Sequence, residues 1–209
     1  MGNESKKMIT DLRKISEEEM LKNWALAEVT SVRRQKYLNK TLPEGLIQKI
    51  RQGLHEYTED EWGRLIEMVR STRSELLKGL LGLDIEWYEG KLPIEELKNL
   101  EMMNWPPFVE LAGSRKFLDL IRAFQGGKMP SKHHEFAENL ERIRKELRPE
   151  SMQGKPIVLS RSEEPPYILV EGFTRLSAML LNLLEGKSYG EKISVILGIS
   201  ERLDEWEFA

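Results

Sequence analysis

No cysteine occurs anywhere in the 209 residues, which excludes disulfides, thiolate metal sites and cysteine nucleophiles. No apolar run approaches the roughly 20 residues that a membrane-spanning helix needs. The opening MGNESKKMITDLRK lacks the apolar centre of a secretory signal. Low-complexity tracts and internal repeats are missing too, which argues against solenoids and long linkers. A large excess of one sign of charge is missing: the net charge is −3, with a basic excess over 1–55 and 112–148 and an acidic excess over 56–111 and 149–209. A protein that grips nucleic acid with a whole face is usually more basic. The run Arg33-Arg34-Gln35-Lys36 can touch phosphate locally or serve as a solvated helix face. MGNESK resembles a weak myristoylation signal, and its other reading is an exposed, mobile terminus. A cytoplasmic protein without a membrane partner is expected.

What is present suffices for a core. At 40% hydrophobic and 32% charged, the chain can fold as one large domain or two small ones. The expected class is α+β, with a helical region over 1–81 and a small mixed α/β domain over 82–209. Residues 9–81 read as helices: Ser16 and Thr58 stand before acidic first turns as capping signals, and Trp62, Leu65, Ile66, Val69, Leu76, Leu77 and Leu80 recur at helical spacing. Beyond Gly82 the pattern changes. Asp84 to Tyr88 alternates like a strand, Glu89-Gly90 reads as a turn, and Pro93 as the start of a helix. Pro106 predicts a loop anchored by Trp105 and Phe108, followed by helices over 114–125 and 133–147. Strands at Pro156–Leu159 and Tyr167–Val170, a helix from Arg175 to Glu185 and a strand at Ile193–Leu197 complete a β-β-α-β unit.

The junction "YILVEGFTRLSAMLLNLLEG" at 167–186 carries the chemistry. Gly172 permits a sharp turn after a buried strand and the close approach of a ligand. Residues 173–176 then present unpaired amides at the partially positive start of a helix. Thr174 adds a hydroxyl and Arg175 a charged fork suited to phosphate oxygens, so phosphate or a nucleotide is the expected ligand. The competing reading has Thr174 capping the helix and Arg175 paired with Glu171.

The segment "KPIVLSRSEEPPYILVEGFTRLSAMLLNLLEGKSYGEKISVILGIS" resembles the core of the ParB/sulfiredoxin-like superfamily, in the order of its "PI" strand, its strand running into Glu-Gly-x-x-Arg, its helix and its last strand. The resemblance implies that Gly172, Phe173, Thr174 and Arg175 grip the phosphates of a nucleotide, ATP or CTP, or ADP. It also implies that Gly154, Lys155 and Pro156, before the "PI" strand, face the same pocket. Sulfiredoxins carry a cysteine where this chain has Phe173, so their activity is rejected. Partition proteins that hydrolyse CTP carry a glutamate there, followed by two arginines, of which only Arg175 has a counterpart. They also carry a helix-turn-helix after this core, which is not expected here. Free-serine kinases of the superfamily are similar at Glu171 and Gly172 but place histidines at the positions of Phe173 and Thr174.

Two functions follow from the resemblance. The first is a nucleotide-binding protein with phosphoryl transfer or NTP hydrolysis, in which Mg²⁺ bridges phosphates and Glu171 activates a hydroxyl or binds Mg²⁺. The second is a non-catalytic regulatory module acting on DNA or a protein partner, including a second copy of itself. No protein metal site is expected: His133 and His134 lack the second histidine four residues on that a zinc-protease helix needs. Arg142, Arg144 and Lys145 either frame the pocket mouth or form a solvated face.

Overall fold

A computed structural model describes residues 8–30, 35–54, 56–128, 134–148 and 153–209. The MGNESK start, Arg33, Arg34 and His133 lie outside the described residues, as do the side chains of Gln35, Lys36 and His134. The architecture is α+β, built on a six-stranded mixed sheet.

The strands are β1 (Thr10–Ile15), β2 (Glu86–Pro93), β3 (Glu101–Met102), β4 (Ile157–Ser160), β5 (Ile168–Glu171) and β6 (Lys192–Ile199), in the sheet order β1-β2-β6-β4-β5-β3. The pairs β1/β2, β2/β6 and β4/β5 are antiparallel; β6/β4 and β5/β3 are parallel. Among the described residues, five α-helices precede β2: α1 (Glu17–Thr30), α2 (Gln35–Thr41), α3 (Glu44–Arg51), α4 (Glu59–Thr72) and α5 (Ser74–Leu80). After β3 the described residues form α6 (Pro106–Ala112), α7 (Phe117–Gln125), α8 (His134–Glu146) and α9 (Phe173–Leu184). Both expected caps form. Ser16 and Glu19 exchange hydrogen bonds at the start of α1, and Thr58 and Glu61 make a full capping box on α4.

Four local expectations are corrected. The helical reading of 9–81 fails at its start, where Thr10–Ile15 is the edge strand β1. Its hydrophobic alternation is thin because cross-strand ion pairs do part of the work: Arg13 meets Glu89 at 2.9 Å and Lys14 meets Glu86 at 2.5 Å. Glu89-Gly90 is no turn but lies inside β2, opposite Ile196 and Val195. A Cβ at Gly90 would sit 2.6 Å from the Ile9 side chain, so the glycine serves the close approach of the segment leading into β1. Finally, Pro106 opens α6 instead of holding a loop, since proline at a first helical position loses no intrahelical bond. The helix expected from Pro93 is a 3₁₀ turn at Ile94–Asn99.

The strands that position the site are apolar on both faces. Ile157, Leu159, Ile168, Val170 and Ile196 face a core built with α1 to α5. Their neighbours Val158, Leu169, Val195 and Leu197 face a second core built with α6, α7, α8 and α9. Two-faced burial explains why β4 reads as an uninterrupted apolar run. The first core joins residues on both sides of position 82, so the N-terminal helices form one cover of the sheet. No helix among the described residues is long and apolar enough to cross a membrane.

Candidate functional site

Strand β5 ends at Glu171, and α9 starts at Phe173. Between them Gly172 has φ +92°, a left-handed conformation that side-chain-bearing residues rarely adopt. A Cβ there would lie 2.8 Å from Pro156 Cβ. The space is thus filled by Pro156, and the glycine is required by the turn and by this packing, not by the approach of a ligand.

Arg175 is held from three sides. Its Nη2 donates to Glu171 Oε2 at 2.6 Å, and its Nη1 donates to the carbonyl of Gln153 at 2.8 Å and to that of Gly154. One turn of α9 thereby ties the end of β5 to the segment before β4. The pairing of Arg175 with Glu171 is the alternative that the junction sequence left open. Phe173 places its ring in an aromatic cluster: it stacks on Phe108 at 4.6 Å between centroids and 11° between planes, and meets Phe117 edge-on at 5.6 Å. The backbone amides of Phe173 and Thr174 remain at the helix start, where Gly172 supplies no capping side chain.

Glu171, Gly172, Phe173, Thr174 and Arg175 all line a cavity of about 500 Å³. Its polar wall carries Arg51, Arg73, Arg142 and Arg148 in addition to Arg175. Its apolar wall includes Trp105, Phe108, Phe173 and Phe208. Arg51 makes no ion pair with the described residues, whereas Arg142 pairs with Glu146 at 3.1 Å. Arg144 does not line this cavity: it pairs with Glu141 at 2.7 Å and with Glu185, and it reaches Asn182 of α9. Lys145 is absent from the lining as well.

Sequence reasoning missed the contribution of the N-terminal helices. Glu28 of α1 is 1% exposed. It accepts from Trp24 Nε1 at 3.2 Å and from Arg73 Nε at 2.5 Å. Both Glu28 and Arg73 line the cavity and act electrostatically on Glu171. The signal was legible: Glu28 follows Trp24 by four residues, a carboxylate on the apolar stripe of a helix, which needs a buried partner.

Burial pushes the Glu171 carboxyl above its ordinary value of 4.5; Arg175 opposes this, Glu28 adds to it, and the Gly172 amide and Arg73 lower it. A carboxyl whose folded pKa is raised binds its proton more tightly in the native state. Its contribution to stability is complete below the unfolded pKa and is lost as pH rises through the folded value. The difference in unfolding free energy between wild type and Glu171→Gln is therefore expected to move against the wild type as pH increases from 4.5. Urea unfolding at a series of pH values measures this difference, and a difference that moves in the wild type's favour would mean that Arg175 outweighs burial.

Gly154, Lys155 and Pro156 do not share the cavity, contrary to the expectation for the turn before the "PI" strand; only Gln153 of that segment faces it. The three line a separate cleft of about 660 Å³. The Lys155 backbone is pinned to α1, its N–H donating to Asn23 Oδ1 at 2.7 Å and its carbonyl accepting from Asn23 Nδ2 at 2.9 Å. Its Nζ lies 2.7 Å from Glu89. Among the described residues no group of three or more His, Asp or Glu side chains is placed to hold a metal ion.

Fold and cavity together define an α+β protein with an arginine-rich, aromatic-backed cavity at a strand-to-helix turn. No protein-family model, curated protein or solved structure matches the chain. The ParB/sulfiredoxin-like reading accordingly rests on the order of its last elements and on the Glu171 to Arg175 junction.

Proposed function

We propose that this chain is a cytoplasmic, ParB-like nucleotide-binding protein that holds ATP or CTP at the start of α9. The observation that carries this reading is the meeting, within one cavity of about 500 Å³, of an arginine wall, an aromatic wall and an uncapped helix start. Guanidinium forks and helix-start amides match phosphate oxygens, and aromatic faces suit a base. In this arrangement Arg51, Arg142 and the amides of Phe173 and Thr174 meet the phosphates, while Arg175 keeps the turn in shape. Phosphates bound there would bring Mg²⁺ with them, held by phosphate oxygens and water, and the ion would neutralise phosphate charge. Glu171, buried and with a raised pKa, is the one group at the turn suited to accept a proton from an attacking hydroxyl.

The second reading is a binding module without turnover, acting on DNA or a protein partner. It is favoured by the commitment of Glu171 to Arg175 and to the Gly172 amide. Melting curves with ATP, ADP, CTP and GTP, each with and without Mg²⁺, test the binding claim common to both. Ligand at about 100 times its dissociation constant adds roughly 2.7 kcal/mol to the folded state. The expected result is a rise in melting temperature for one nucleotide that Arg51→Ala removes without lowering the ligand-free melting temperature. The absence of a shift with every nucleotide sinks the proposal. Phosphate release by the protein that binds then separates enzyme from module.

A further inference from the structure

The separate cleft beside Gly154, Lys155 and Pro156 has its own character. Four cations line it: Lys91 of β2, Arg148 after α8, Lys155 before β4 and Lys192 at the start of β6. No carboxylate lines it among the described residues. Two acids outside its walls meet cations of the cleft: Glu89 pairs with Lys155 at 2.7 Å, and Asp11 stands 3.9 Å from Lys192. Lys91 uses its ammonium group on a neutral partner, donating to Ser194 Oγ at 2.7 Å. Ser188 and Ser194 add hydroxyls, and Ile94, Ile193 and Tyr189 supply an apolar flank.

Like charges on four separate chain segments repel one another, so converging them on one hollow costs stability unless something anionic is drawn there. Lysines favour a different ligand from that of the arginine cavity. Each is a compact, rotatable point charge, suited to charge spread along a flexible chain and less to a planar bidentate contact. At about 660 Å³ the cleft is large enough for a small molecule.

We propose that this cleft is a second anion site, which takes the phosphate chain of a small polyphosphorylated ligand. The claim stands whether or not the arginine cavity binds a nucleotide. Inorganic tripolyphosphate is the probe, and titration calorimetry on the full chain is the measurement. Lys91 and Lys192 are exposed strand residues whose truncation leaves both cores untouched. Arg148 is left in place because it lines both hollows. The double variant Lys91→Ala/Lys192→Ala is expected to raise the dissociation constant of tripolyphosphate about tenfold, as removal of two partly exposed charge contacts does. Arg51→Ala is expected to leave it unchanged, and added salt weakens binding. Absence of tripolyphosphate binding overturns the proposal. So does binding that Arg51→Ala abolishes and the lysine pair does not affect, which places the anion in the arginine cavity. If a single-stranded oligonucleotide binds through the two lysines and tripolyphosphate does not, the small-ligand assignment is overturned in favour of a nucleic-acid surface.

Discussion

Arg175→Ala is expected to lower the unfolding free energy by about 3–5 kcal/mol, the usual cost of stripping one partner from a buried ion pair. The side chains of Arg175 and Glu171 are 15% and 14% exposed, so water does little to replace the lost guanidinium. Truncation leaves the Glu171 carboxylate in a low-dielectric wall beside Glu28, whose charge already disfavours it. The carbonyls of Gln153 and Gly154 also lose their donor, and with them goes a link between α9 and the approach to β4. Arg175→Lys recovers only part of this, because a single ammonium cannot reproduce a fork that spans a carboxylate and two carbonyls. Urea denaturation of the three proteins measures the effect. A loss below about 1 kcal/mol for the alanine variant, the range of an exposed pair, would show that these bonds contribute little and would return Arg175 to the ligand. The ligand-free protein thus decides whether this arginine is a phosphate grip or a structural brace.

The second large effect lies beneath the cavity. Phe108 is 5% exposed. Its ring centroid lies 4.6 Å from that of Phe173, 4.7 Å from Trp105 and 5.7 Å from Phe136. Phe108→Ala empties the middle of this cluster, and truncations of this kind cost about 3–5 kcal/mol through lost transfer energy and the residual cavity. In a chain of this length each kcal/mol moves the melting temperature by about 2–4 °C. Phe108→Leu refills most of the volume and is expected to lose less than half as much. Calorimetric melting of both variants tests this. A loss below about 1.5 kcal/mol for Phe108→Ala would mean that α6 closes onto the gap and that the aromatic wall is not a rigid base for α9.

Much of the strand and helix order after residue 150 was legible because β4, β5 and β6 are short apolar runs set off by punctuation, and α9 carries a strong helical stripe. The turn at Gly172 was legible for the same reason: a glycine between a buried strand and a helix announces its φ. β1 was not, since its six residues are placed by an antiparallel ladder and ion pairs with β2, some 70 positions away, and local periodicity carries no trace of such partners. Gly90 misled because a glycine in a strand and a glycine in a turn look alike until the neighbour that needs the space is known. For Lys155 the order of residues placed it near the "PI" strand, but its facing direction depends on Asn23 of α1, more than 130 positions away.

By itself, then, the sequence determined the absence of thiol chemistry, the α+β class, the caps of α1 and α4, and the strand-Gly-helix junction with an arginine one turn in. These depend on residue type and short-range spacing, which the backbone obeys wherever it is placed. Only the tertiary structure decided that Arg175 is tied to Glu171 and to two carbonyls, that Phe173 belongs to an aromatic cluster, and that Glu28 and Arg73 charge the same wall. It also decided that Lys155 and Lys192 face a different hollow. Those outcomes depend on which groups meet after the N-terminal helices close over one face of the sheet. Ion pairs and cavities are properties of that meeting, not of any one segment.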